Sequence, residues 1–476
     1  MSKPRLFFLL LFILLAASRL CHVAILWEGD AYPLAAAGQM LHGSMLYRQI
    51  WFDKPPLLAI AYLAIGAHAG IPLRVAGALY AFLACLIAYG FARDLWGKRE
   101  ALWAAGLLGF FLTFDFPSAV MPVASDLLML APHLAAVWLA WKRRAFWSGA
   151  MAAVAFWVSP KGLFVAAACA VWFPAGIPLM AAGFAAVSAI AVALLGACGA
   201  LEPYWQQVWI WGRLYAGSTF LENPLRNGLL RTANWAGFHV AIVLAAAWFA
   251  RKRESLRWVA WTILAFLGVA AGLRFFPRYY FLLLAPITLM AARGFTLMGR
   301  RRELIALLLL IPATRFGLTY ATALRDAAWR DTAMDRDSRT AAAAITARAT
   351  PQDTLFVWGY RPELYVYTGL KAATIYLDSQ PLTGVPADRH LTSSEPVETE
   401  EAAHRRRQLA GANPAFIVDG LGLYNPKLAI TQYPELKTWL SHYQEIARTS
   451  GSVVYRYAAR TATVRSSTRT ASQETR

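Results

Sequence analysis

A chain of 476 residues that is 58% hydrophobic and only 15% charged is not one ordinary soluble domain, in which about a quarter of residues carry charge. Its net charge of +19 does not point to nucleic acid, because the Lys and Arg residues stand in short clusters between apolar runs and no basic face with stacking aromatics is present. Cys21, Cys85, Cys169 and Cys198 all fall in apolar segments; they fit small buried hydrophobes rather than a disulfide framework or a metal spacing.

Lys3 and Arg5 precede the apolar run Leu6–Ala17, and Ala16-Ala17-Ser18 imitates a signal-peptide cleavage site. The run resumes from Leu20 to Trp27, so an uncleaved first helix over about residues 6–26 is expected. Arg19 and His22 interrupt it, so it does not face lipid all round. Residues 27–73 are apolar only in patches and carry Glu28, Asp30, Arg48, Asp53 and Lys54. Leu57–Ile65, set between Pro55-Pro56 and Gly66, Gly70 and Pro72, is too short to cross a membrane. The segment reads as a long outer loop with amphipathic helices on the membrane, where the Trp27, Tyr32, Tyr47, Trp51 and Tyr62 rings suit the interface.

Further helices are expected at about 74–92, 101–118 and 125–141. Two more share 146–173 and part around Pro160-Lys161. The last five are expected at 178–200, 234–250, 258–273, 279–294 and 303–320. With Lys3 and Arg5 inside, strict alternation puts Arg93/Lys98/Arg99, Lys142–Arg144, Arg251/Lys252/Arg253/Arg257 and Arg300–Arg302 on one side, as the positive-inside rule requires. Eleven crossings then put the remainder of the chain outside the cytoplasm.

From Arg325 the composition becomes that of a soluble protein. Strands are expected at Asp353–Gly359, Ala373–Leu377, Ala415–Asp419 and Ser452–Tyr457, with helices at Pro362–Thr368, Thr340–Thr350 and Glu400–Gly411. Arg460–Arg476, rich in Ser, Thr and Arg, is expected to be disordered. The fold class is therefore mainly α. A polytopic helical membrane domain, residues 1–324, has about eleven transmembrane helices plus amphipathic juxtamembrane helices and an outer loop at 27–73. A small α/β extracytoplasmic domain follows at 325–459, then the tail at 460–476. The expected location is the inner (plasma) membrane.

The outer loop reads Trp27-Glu28-Gly29-Asp30-Ala31-Tyr32 and later Trp51-Phe52-Asp53-Lys54-Pro55-Pro56. An acidic residue just after the first helix, a Tyr a few positions on, and an aromatic-acid-Lys-Pro-Pro run about 25 residues later resemble the first outer loop of a known family. These are the type C polytopic glycosyltransferases that take sugars from polyprenyl-phosphate carriers, among them protein O-mannosyltransferases and the aminoarabinose transferase of lipid A. Phe276-Pro277-Arg278-Tyr279-Tyr280 and the plan of about eleven helices with an exterior domain are also similar. The resemblance implies a polyprenyl-phosphate-linked sugar donor and a lipid, glycan or protein acceptor. This chain departs from relatives that carry adjacent Asp-Glu, since it has Glu28-Gly29-Asp30.

The loop's residues fit that chemistry in their own right. A sugar on a lipid phosphate presents its anomeric carbon at the membrane surface, and transfer needs a base for the acceptor hydroxyl and cations for the leaving phosphate. Asp30 or Glu28 is the expected base, with Asp30 competing as an N-cap for a helix over 31–41. Asp126 is the second carboxylate, where the resemblance implies help in organising the acceptor site; Ser125-Asp126 is equally a capping pair. Lys54, stiffened by Pro55-Pro56, is the expected phosphate ligand, together with Arg48, Lys161, Arg274, Arg278, Tyr279 and Tyr32. Lys161, between two short helices, is costly unless paired or wet. No histidine spacing marks a metal, and no cofactor follows; members of the family differ in whether they need a divalent ion. Two competing functions remain. A transporter or flippase of envelope lipids or glycans would call for internal repeats, which this sequence lacks. A scaffold would act through the soluble part.

Overall fold

The computed structural model describes residues 3–217, 223–325, 329–385 and 394–458. The segment expected to be disordered, 460–476, lies outside them. The chain divides into two compact units, residues 1–30 with 53–329 and residues 31–52 with 330–476. The helix Glu28–Leu41 starts in the first unit and continues in the second, so the 27–73 loop contributes to both.

The first unit is helical. Ile71–Trp96, Pro174–Ala197, Pro277–Leu297 and Arg301–Leu324 are each long and apolar enough to cross a membrane. Ser125–Trp141, Ala145–Val158 and Gly162–Trp172 are shorter apolar helices. The chain is a multi-pass membrane protein. Three expected helices differ from the sequence reading; the one expected over 101–118 ends at Phe111, with a short turn of helix at Pro117–Val120 after it. The first helix of the chain ends at Leu20 rather than near 26, because the buried Arg74 side chain donates hydrogen bonds to the carbonyls of His22 (3.2 Å) and Ile25 (2.6 Å). A guanidinium with five donors to satisfy takes carbonyls that a continuing helix would use. The helix expected over 234–250 is a pair, Pro224–Phe238 and Val240–Ala250, bent by 93°. At the bend the His239 ring stacks on Trp235 and Phe111 with centroids 4.3 and 4.4 Å away and faces Asp115 at 3.3 Å.

Small residues let the helices touch. A Cβ on Gly149 would lie 1.9 Å from the Met180 carbonyl oxygen, and one on Gly183 1.9 Å from that of Phe146. The helices Ala145–Val158 and Ile177–Ala197 therefore meet backbone to backbone, as membrane helices do at small residues.

The second unit holds a five-stranded sheet. The strands are β1 Thr354–Trp358, β2 Lys371–Ala372, β3 Phe416–Asp419, β4 Tyr443–Arg448 and β5 Val453–Tyr457, in the order β2-β1-β3-β5-β4. β1 pairs in parallel with β2 and β3, whereas β5 runs antiparallel to β3 and β4. β1 and β3 fall on apolar runs and are almost wholly buried. No strand forms at the expected 373–377, and the sheet instead takes the two residues before it as β2, while β4, a polar and half-exposed edge, has no apolar alternation to announce it. The segment 31–52 joins this unit through main-chain recognition. The Gln39 amide donates to the Leu370 carbonyl (3.1 Å) and accepts from the Ala372 N–H (2.8 Å), and the Trp51 N–H donates to the Ile375 carbonyl (2.6 Å).

A buried charge network anchors the unit. Arg361 is fully buried and donates to Asp337 at 2.9 Å and to Glu363 at 3.1 Å. Asp337 also accepts from the Gly451 N–H and the Ser452 hydroxyl, both at 2.8 Å. Burial alone would raise the Asp337 carboxyl, but the Thr449 hydroxyl, the Arg361 charge and the Ser452 hydroxyl outweigh it and hold it at about 2. Because the folded value lies below the unfolded one, the stabilisation is complete above about pH 4 and is lost as pH falls toward 2. Amide hydrogen exchange in the full chain should therefore accelerate in β1, β3 and β5 between pH 4 and 2. Asp337→Asn should raise their exchange at pH 7 and flatten its pH dependence.

Candidate active site

Asp30 lies in the first turn of the Glu28–Leu41 helix and does not cap it: its own N–H already donates to the Trp27 carbonyl at 2.9 Å. The side chain is fully buried. Its Oδ2 receives Arg74 Nη1 at 2.9 Å, and its Oδ1 accepts from the Tyr62 hydroxyl at 2.6 Å and the Val123 N–H at 2.8 Å. Arg74 is equally buried and also donates to the Met121 carbonyl at 3.1 Å. Tyr62, expected to sit at the membrane interface, is instead fully buried in this network. Both Asp30 oxygens are thus engaged in joining four segments. Glu28, one half-turn earlier, is only partly buried and lines a cleft with Ser118, Ala119, Phe276, Pro277 and Arg278.

Asp126 opens the helix Ser125–Trp141 without capping it, as no side-chain bond closes that N-terminus. The carboxylate is buried and stands 3.9 Å from Lys161 Nζ and 3.8 Å from Arg278 Nε. These ion pairs are longer than hydrogen bonds. Lys161 occupies the turn between Ala145–Val158 and Gly162–Trp172. The turn is tight: a Cβ on Gly162 would fall 2.2 Å from the Phe156 nitrogen. The ammonium is buried, lies 2.9 Å from the centroid of the Tyr279 ring, and has no hydrogen-bond partner among the described residues. It is also within electrostatic range of Arg278 and Lys54.

Lys54 donates to Asp53 at 2.7 Å and precedes Pro55 and Pro56, the second of which starts the helix Pro56–Ala64. Its Nζ is 5.4 Å from the Tyr215 ring. Arg278 projects from the 3-10 turn Pro277–Tyr280, and the Arg274 guanidinium lies over Tyr215 at 3.6 Å. The first unit thus brings Glu28, Asp126, Lys161, Arg278 and Tyr279 into one neighbourhood, with Lys54 and Arg274 converging on Tyr215.

Tyr32 and Arg48 belong to the second unit. There the Tyr32 hydroxyl donates to the Trp51 carbonyl at 2.7 Å and its ring stacks on Phe52, while Arg48 is exposed. Tyr62, Arg74 and Tyr215 were not singled out from the sequence as site residues. A charge at the start of an apolar helix is a signal for Arg74; Tyr215 has no local signal. Among the described residues, no group of three or more His, Cys, Asp or Glu side chains stands close enough to hold a metal ion.

No family model matches this chain, and no curated protein matches it either. Solved structures do. ArnT from Cupriavidus metallidurans in its apo state superposes with a TM-score of 0.59 at 15% identity, over 96% of this chain and 99% of ArnT. The same protein bound to undecaprenyl phosphate gives 0.61 at 15% identity, over 95% of this chain and 97% of that one. The chain thus shares the fold of ArnT over nearly its whole length.

The geometry separates the two loop carboxylates by what their loss would do. Asp30→Ala leaves Arg74 buried without its counter-ion, which costs roughly 3–5 kcal/mol. It should sharply lower the thermal unfolding temperature in detergent. Glu28→Gln, in a partly open cleft, should leave that temperature within about a degree or two, as surface substitutions generally do.

Proposed function

We propose that this protein is an inverting glycosyltransferase of the inner membrane that moves a sugar from a polyprenyl-phosphate carrier to a lipid, glycan or protein acceptor on the extracytoplasmic face. The observation that carries the reading is the Lys161 ammonium. It is buried, without a hydrogen-bond partner among the described residues, and 3.9 Å from a carboxylate it shares with Arg278. A buried cation held short of full pairing is costly and fits an anion that arrives as substrate. The shared fold with a protein solved with undecaprenyl phosphate bound supports a polyprenyl phosphate as that anion. The positive-inside reading of the basic clusters supports about eleven crossings, with residues 325–459 and the site outside the cytoplasm.

In this reaction the acceptor oxygen attacks the anomeric carbon from the face opposite the phosphate. The new C–O bond forms as the bond to the phosphate oxygen breaks, and that electron pair leaves with the carrier phosphate. Lys161, Arg278, Lys54 and Arg274 stabilise the charge that develops there. The acceptor proton passes to a carboxylate, and Glu28 is the better placed of the pair. It lines a cleft beside Arg278, whereas both oxygens of Asp30 are occupied by Arg74, Tyr62 and Val123. Asp30 is then a positioning residue that holds the turn bearing Glu28. Asp126, 3.9 Å from Lys161 and 3.8 Å from Arg278, holds the two side chains close.

Membranes carrying the protein, given a labelled polyprenyl-phosphate sugar, should transfer label to envelope acceptors. Glu28→Gln and Lys161→Ala should each reduce transfer about a hundredfold or more, the scale of a lost general base or of a lost electrostatic stabiliser. Undiminished transfer by Glu28→Gln or Lys161→Ala would remove that residue from the mechanism, and no transfer by the unaltered protein would overturn the reaction itself.

A further inference from the structure

The backbone on both sides of Arg274 is unusual. Gly272, Leu273 and Phe275 all have positive φ, at 79°, 53° and 50°, and for residues with a Cβ that region is rarely occupied. Non-glycine residues stay there when the surroundings hold them, and such places concentrate at ligand clamps. Here the holding contact runs through Tyr215. The Arg274 side chain is almost fully buried, its guanidinium donates to the Tyr215 carbonyl, and its centre lies 3.6 Å from the centroid of the Tyr215 ring. One residue therefore grips Arg274 through both its main chain and its ring.

The same ring receives a second cation. Lys54 Nζ is 5.4 Å from its centroid, within the range at which a ring's negative face attracts an ammonium. Arg274 is buried and Lys54 is 38% exposed, and two positive side chains brought to one ring repel each other. The Asp53 carboxylate offsets part of that cost at Lys54, 2.7 Å away, and the aromatic face lowers it further for both cations. Lys161 is held on Tyr279 in the same way, at 2.9 Å. Tyr215 stands in the helix Trp211–Gly217, far in sequence from both cations.

We infer that Tyr215 is a positioning residue of the donor site, its ring and carbonyl holding Arg274 and Lys54 together so that both address the phosphate of the lipid carrier. The inference rests on the reaction proposed above, and it assigns to the segment before residue 218 a part in donor binding. The ring, rather than the hydroxyl, carries the effect.

The test uses the purified full chain in detergent, with undecaprenyl phosphate as the binding probe and a labelled polyprenyl-phosphate sugar for kinetics. Tyr215→Leu should weaken undecaprenyl phosphate binding and raise the donor KM by about tenfold, with kcat changed by less than about twofold. Tyr215→Phe, which keeps ring and carbonyl, should behave as the unaltered protein. An independent readout is the rate at which Lys54 reacts with an amine-acylating reagent, followed by mass spectrometry of its peptide. That rate should change in Tyr215→Leu and not in Tyr215→Phe, whether or not any carrier binds. Unaltered protein that binds no undecaprenyl phosphate would defeat the proposed function, and the Lys54 reactivity would still decide the role of the ring. Overturning results are a Tyr215→Leu protein with unchanged binding and Lys54 reactivity, or a Tyr215→Phe protein as impaired as Tyr215→Leu.

Discussion

The buried ion pair between Arg74 and Asp30 constrains the rest of the first unit. A guanidinium at the end of an apolar helix is tolerable only when its donors are met. Arg74 meets them with one carboxylate oxygen and the carbonyls of His22, Ile25 and Met121. Those bonds end the first helix, fix the turn that follows it, and draw the 121–123 segment against both. Asp30 completes the arrangement from the other side by accepting from Tyr62 and Val123. A carboxylate used in this way is poorly suited to take a proton from substrate. In the proposed reaction it serves the neighbouring carboxylate instead, by setting where Glu28 points.

The cations beside it follow the opposite rule. Arg74 is saturated with acceptors, whereas Lys161 has none within hydrogen-bonding distance among the described residues and meets Asp126 only at 3.9 Å. Aromatic faces lie against these cations: Tyr279 under Lys161, and Tyr215 under Arg274 and near Lys54, which also pairs with Asp53 at 2.7 Å. Rings and distant carboxylates stabilise positive charge without closing it to an anion. Among the described residues, the contrast between Arg74 and Lys161 separates framework from candidate site.

Much of the site was visible in the sequence because charge in an apolar setting is conspicuous. Glu28, Asp126, Lys54, Lys161 and Arg278 all stand out against their neighbours, and the break at Pro160-Lys161 fell where the structure turns between Val158 and Gly162. Other features left no such mark. The bend at His239 follows from stacking on Trp235 and Phe111, the second from a distant helix. The membership of 31–52 in the second unit follows from one glutamine side chain and one N–H that pair with strand-edge groups some 330 residues away. β1 and β3 were legible as apolar runs, while β4, a half-exposed edge whose stability comes from pairing with β5, was not.

Composition and charge placement by themselves determined that this chain enters a membrane many times, that its last third is of a different kind, and that a handful of charged residues near helix ends need explanation. Those are local properties, set by how each segment partitions between water and hydrocarbon. Only the tertiary structure decided which of two carboxylates two residues apart is locked in a buried pair and which lines a cleft. It also decided that Tyr215 shares its ring with cations from two distant segments. The physical reason is that saturation of a hydrogen-bonding group depends on partners brought by folding, and residues as far apart as 30, 74 and 123 carry no record of one another along the chain.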